Sequence, residues 1–300
     1  MIKNVLKFVF VTLLLVTASC SDDDDGGITT ANLTLNVAGL EDLGANYVYE
    51  GWIIVNGAPV STGTFTSTAT GQTFSVDAAQ LAAATRFVLT IEPAGETGAD
   101  AATPSDTKLV VGDFSGDTAT ISIGTVGDFS TTSPAGTFFL RAPTDEPAGT
   151  GNNANDESGI WFGTPGTPPS PALTLPTLEV GWKYEGWVVV DGVGPLSTGT
   201  FTAFDVADDN AGDAASFSGT ENAGPPIPGE DFFNNAPTGF TFPLDIRGRT
   251  VVISVEPFPD NSPDPFLLKP LTGTASNDTA PATYSLAFSN GTFPTGSVSR

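Results

Sequence analysis

The sequence has no histidine in 300 residues, so the commonest general base and the commonest transition-metal ligand are both missing. Ser-His-Asp and Cys-His nucleophile systems and histidine-bound zinc are excluded with it. Cys20 is the only cysteine, which rules out a disulfide within the chain. Cationic side chains are few: 10 Lys and Arg stand against 34 Asp and Glu, a formal net charge of −24 at pH 7. Such a surface repels phosphate backbones and anionic headgroups, so no nucleic-acid partner is expected and no basic patch can hold a membrane. After residue 19 no apolar run approaches the ~20 residues that a spanning helix needs. Methionine, lysine and long helix-forming runs are scarce, whereas 34 Gly, 24 Pro and a 39% hydrophobic content are present. This is the composition of an all-β secreted protein with enough apolar mass for packed cores.

What is present is duplicated. YEGWIIVNGAPVSTGTFT at residues 49–66 returns as YEGWVVVDGVGPLSTGTFT at 184–202, and RFVLTIEP at 86–93 returns as TVVISVEP at 250–257. The offsets are too long for a solenoid turn and suit two whole domains. Short β-branched or aromatic runs punctuated by Gly, Pro, Asn and Asp predict strands over residues 33–37, 48–55, 63–66, 73–76, 86–92, 108–111 and 118–123. One short helix is expected at 77–84, with Asp77 as N-cap. Asn56-Gly57 is a hairpin signal, because both residues tolerate positive φ. Asp191-Gly192 stands in its place in the second copy. Residues 137–140 are read as the first strand of the second module. The expected architecture is two tandem immunoglobulin-like β-sandwich modules, over residues 32–132 and 133–300. The second is the longer: residues 203–249 replace the shorter stretch 67–85 of the first, and long insertions at a sandwich edge are where specificity is usually placed.

Lys3 and Lys7, the apolar stretch that follows and the small residues before Cys20 read as an export signal over residues 1–19. Thr17-Ala18-Ser19-Cys20 resembles a bacterial lipobox, with Thr17 where leucine is commonest, which implies that Cys20 is lipidated. Residues 20–31 then form an acidic, flexible linker. Ser21 with Asp22, Asp23, Asp24 and Asp25 resembles the surface-export signal of Bacteroidetes lipoproteins, which implies display on the outer face of the outer membrane. The expected membrane contact is through acyl chains, each buried methylene contributing about 0.8 kcal/mol.

Four glutamates fall at repeated positions: Glu50 with Glu185, and Glu92 with Glu256. Paired carboxylates can hydrolyse glycosidic bonds, but a module present twice would need two complete sites, and each glutamate can equally accept hydrogen bonds from a neighbouring hydroxyl or backbone. Trp52 and Trp187 are expected in the core rather than as sugar-stacking platforms, since both faces of their strand carry large apolar groups. Gly51 and Gly186 inside that strand predict a bulge or the close approach of another group. Asp205, Asp208, Asp209 and Asp213 form an oxygen-rich loop, a weak calcium candidate whose spacing does not match an EF-hand. The serines and threonines of STGTFT have no base beside them to make them nucleophiles. No catalytic residue, cofactor or metal is expected.

YEGWIIVNGAPVSTGTF followed by FVLTIEPAGETGADAATPSDTKLVVG resembles the extracytoplasmic C-terminal domain of anti-sigma-K factors. The second copy carries YEGWVVVDGVGPLSTGTF, VVISVEP and PFPDNSPDPFLLKPLTG at matching places. The resemblance implies a β-rich sensing or supporting module. A member of that family would also have a cytosolic sigma-binding segment and a transmembrane helix, and neither is found here, so no direct sigma-factor contact is expected. The reading is therefore a non-catalytic envelope binding or sensing lipoprotein, with an unidentified envelope protein or glycan as partner. A glycan-active or glycan-binding surface protein and a passive spacer are the alternatives.

Overall fold

The computed structural model describes residues 29–147, 152–209, 216–259 and 262–300. The expected signal peptide, Cys20, Ser21, Asp22, Asp23, Asp24, Asp25 and Asp213 lie outside the described residues. The first part of the chain forms β1 (Thr30–Ala38), β2 (Tyr47–Val55), β3 (Ala58–Phe65), β4 (Gln72–Asp77), α1 (Ala78–Ala83), β5 (Arg86–Pro93), β6 (Lys108–Ser115) and β7 (Thr118–Thr120). There follow β8 (Ala135–Leu140), β9 (Gly159–Trp161), β10 (Gly163–Thr164), β11 (Ser170–Pro171), β12 (Leu173–Thr174), β13 (Trp182–Val190), β14 (Gly194–Phe201), β15 (Gly229–Asp231), β16 (Thr250–Pro257), β17 (Leu268–Thr274), β18 (Tyr284–Phe288) and β19 (Thr295–Ser299). No described helix is long and apolar enough to cross a membrane.

The all-β expectation is met, but not the stacked pair of sheets in each module. One sheet runs β3-β2-β5-β6-β7-β19-β1-β4, and a second runs β14-β13-β16-β17-β18-β8-β9-β15, with β12 also paired to β8. The end strands β3 and β4 approach each other, as do β14 and β15, so each sheet curls toward a barrel rather than an immunoglobulin-like sandwich. The last strand, β19, is seated in the first sheet, antiparallel to both β1 and β7.

Local chemistry explains the shared elements. β2 is interior to its sheet, between β3 and β5, and alternation sends Tyr49 and Ile53 to one face and Glu50 and Trp52 to the other. All four are buried. The β2–β3 hairpin closes on Asn56 (φ 52°) and Gly57 (φ 81°), the two positive φ values that the Asn-Gly pair predicts. The register slips between Gly51 and Trp52, and again between Gly186 and Trp187. A Cβ at Gly51 would lie 2.4 Å from Thr62 Oγ1 and 3.2 Å from the Phe87 ring, so bulge and close approach occur together. α1 begins where Asp77 accepts a hydrogen bond from the Gln80 amide at 2.8 Å. The tyrosines tie each repeat in the same way: Tyr49 donates to Glu41 O at 2.9 Å and Tyr184 to Pro176 O at 2.7 Å, each eight residues upstream.

One apolar cluster runs through both sheets, from Leu33, Leu35 and Phe87 to Phe138, Tyr184 and Ile253. Fully burying each such side chain stabilises the fold by about 1.5–3 kcal/mol. The insertion at 203–249 joins this core. Phe217, Phe232 and Phe242 pack tilted or edge to face with centroids 5.4–6.0 Å apart, and β15 pairs with β9.

Candidate functional site

Two of the repeated glutamates, Glu92 and Glu256, hold the ends of β5 and β16. Trp52 Nε1 donates to Thr90 Oγ1 at 2.9 Å, Thr90 donates onward to Glu92, and Glu92 accepts from the Ser105 amide at 2.9 Å. In the second sheet Trp187 Nε1 donates to Ser254 Oγ at 2.7 Å, Ser254 donates to Glu256, and Glu256 accepts from the Phe266 amide at 2.9 Å. Glu50 and Glu185 accept from Ser61 and Ser197, whose Oγ atoms take the Gly63 and Gly199 amides at 3.0 Å. Each carboxylate is thus an acceptor that fixes a strand or loop, and burial pushes Glu50 above its ordinary range against the opposing pull of Ser61. Trp52 and Trp187 are each 1% exposed. Neither indole offers a face to a sugar ring.

Those fixed strand ends border a cleft of about 480 Å³ between the two repeats. The first repeat supplies residues 41–47, Ile91, Pro93 and 105–107; the second supplies residues 256–259, Ser262 and Phe266. Ile91, Pro93, Phe258 and Phe266 give it apolar walls, while Glu41, Asp42 and Asp106 stand at its polar edges. Lys183 Nζ lies 4.1 Å from the centroid of the half-exposed Phe258 ring, a cation–π contact. Lys108 is turned to Ser105 O at 2.8 Å and to Asp106 at 3.8 Å. An apolar trough with a carboxylate rim suits an extended apolar segment bearing a cationic group.

The acidic loop of the second repeat is divided among separate partners. Asp208 accepts from the Gly229 amide at 2.8 Å, and Asp209 accepts from Lys183 and from Thr200 Oγ1 at 3.1 Å. Among the described residues no three acidic, cysteine or histidine side chains converge as a metal site.

One buried acid pair escaped the sequence reading. Glu230 and Asp231 are 1% and 0% exposed. Asp231 accepts from the Thr144 amide at 2.8 Å, from Thr144 Oγ1 at 2.6 Å and from Trp161 Nε1 at 3.0 Å. Burial pushes it up to about 7 against those donors, which pull it down. Burial likewise raises Glu230. The available signal was two adjacent acids between Ile227 and Phe232, where a solvated turn would not need such flanking apolar bulk.

Residues 25–108 match the family model of the C-terminal domain of anti-sigma-K factor rskA. The matched stretch reaches the first residue of β6 and contains the Tyr-Glu-Gly-Trp strand, the Asn56-Gly57 hairpin and the Ile91-Glu92-Pro93 end of β5, the elements on which the resemblance rested. It therefore includes all of the first repeat's side of the cleft. No curated protein and no solved structure matches the chain.

Proposed function

We propose that the protein is a non-catalytic envelope lipoprotein in which two copies of the rskA C-terminal type of module form a sensing or binding body. The match at residues 25–108 carries this reading. It is supported by the common strand order of the two sheets and by the structural use of all four repeated glutamates. Lipidated Cys20, followed by Ser21 and the four aspartates, tethers the body to the outer membrane with the modules facing outward. No direct sigma-factor contact is part of the proposal. The cleft between the repeats is the surface through which an envelope protein or glycan is bound.

The test places a photo-crosslinking residue at Phe258, in the cleft, and at the exposed Asp117 as control, in cells producing the full chain. A defined envelope component captured from position 258 and not from 117 is the expected result. Equal capture from both positions, or none from either, overturns the cleft assignment. Palmitate labelling that is lost in Cys20→Ser, and digestion of the modules by protease added to intact cells, test anchorage and display.

A further inference from the structure

We infer that the two repeats have exchanged their closing strands, so that the slot between β1 and β7 is a strand-accepting site built for the segment Pro-x-Gly-Ser/Thr-apolar. After β7 the chain runs through residues 121–133 to Pro134-Ala135-Gly136-Thr137-Phe138. Its counterpart β18 ends at Phe288, followed by Ser289 and then Pro294-Thr295-Gly296-Ser297-Val298. By position β8 closes the first repeat and β19 the second, yet each lies in the other's sheet.

Toward β18 and β7 the registers make the two strands equivalent; on the other side β19 meets β1 along its length, whereas β8 meets β12 at Gly136 and β9 at Phe139 and Leu140. Gly136 of β8 lies opposite Leu286 on one side and Leu173 on the other. Gly296 of β19 lies opposite Val37 of β1, and its carbonyl takes the Ile121 amide at 3.2 Å. Phe138 and Val298, two residues on, are both fully buried. At Gly296, where φ is +141°, a Cβ would lie 1.9 Å from the Asn36 carbonyl oxygen, so the position requires glycine; at Gly136 it would lie 2.6 Å from Leu173 Cδ2, the end of a side chain that can give way. The two connections that cross between sheets meet, with Phe129 and Phe293 edge to face at 5.3 Å. Arg300 then locks the inserted strand, donating to Leu81 O at 2.9 Å, Ala84 O at 2.7 Å and Gly116 O at 3.0 Å beneath a cation–π contact with Phe114.

Without β19, β1 and β7 would each present an unpaired edge, the situation in which an extended peptide adds to a sheet. The occupant is β19 of the same chain, and the pairing is exchangeable with a peptide of the same pattern. The test uses the full-length chain with Gly296→Val, which cannot seat β19, and with Arg300→Ala, which removes the lock but leaves the strand intact. A fluorescent peptide spanning residues 290–300 is expected to bind either variant one to one, at least tenfold tighter than it binds the parent. An unlabelled peptide spanning residues 130–141 is expected to compete. Hydrogen exchange should show faster exchange at β1 and β7 in the variants, reversed by peptide. Binding no tighter to either variant than to the parent, or a β8 peptide that does not compete, overturns the inference. If Gly296→Val fails to fold, the Arg300→Ala chain decides it alone.

Discussion

Asp231 should make this protein lose stability as the pH rises through neutrality. Its ordinary value is 3.8 and burial lifts it to about 7, so between those values the folded state holds a proton that the unfolded state has released. Stability therefore falls with pH across that window: the contribution is complete below the unfolded value and disappears as the pH passes the folded one. With about 1.36 kcal/mol per pKa unit, the loss between pH 5 and pH 8 comes to ~3 kcal/mol. The missing histidines make the measurement clean, because no side chain of ordinary pKa changes charge between about pH 6 and 7.5. Urea unfolding at half-unit steps should give a midpoint that declines over this range. In Asp231→Asn the decline should shrink to what the raised Glu50 and Glu230 supply. That variant also turns an amide toward the Thr144 or Trp161 donors, which costs about 1–3 kcal/mol at pH 5. An unchanged slope in Asp231→Asn would refute the assignment, as would a flat profile in the parent.

The remaining predictions concern the repeated positions. Gly186→Ala should cost more than Gly51→Ala, about 2–3 against 1–2 kcal/mol by thermal unfolding. A Cβ at 186 meets the buried Phe162 ring at 2.5 Å, whereas at 51 the nearest ring atom is 3.2 Å away. Equal costs would show that the rings yield freely. Trp52→Phe and Trp187→Phe each remove one buried indole donor and should destabilise the chain by similar amounts, about 1–2 kcal/mol; a difference beyond that range would mean the two relays are not equivalent. Glu92→Gln should loosen residues 105–107 first, seen as faster amide exchange at Ser105, while Glu256→Gln should act on Phe266 in the same way.

The closely repeated segments could be read locally. The β2–β3 hairpin follows from Asn56-Gly57, the bulge from Gly51, and the α1 start from Asp77, because turn chemistry and N-capping depend on neighbours within a few residues. The hydrogen-bonding role of the four glutamates was open in the same reading, since a hydroxyl two residues away, Thr90 before Glu92 or Ser254 before Glu256, is visible in the chain. Curling of each sheet toward a barrel was not visible: alternation reports which face is buried and not how far a sheet bends. The burial of Asp231 was not visible, because its Thr144 and Trp161 donors lie 87 and 70 residues away in the chain.

By itself the sequence determined the all-β character, the duplicated elements, the acidic surface and the absence of histidine chemistry, since composition and short-range pattern are sufficient for each. Only the tertiary structure decided that β8 and β19 each complete the other repeat's sheet and that a cleft opens where the repeats meet. A strand's residues specify its two faces, but which edges it pairs with depends on every edge the folded chain makes available.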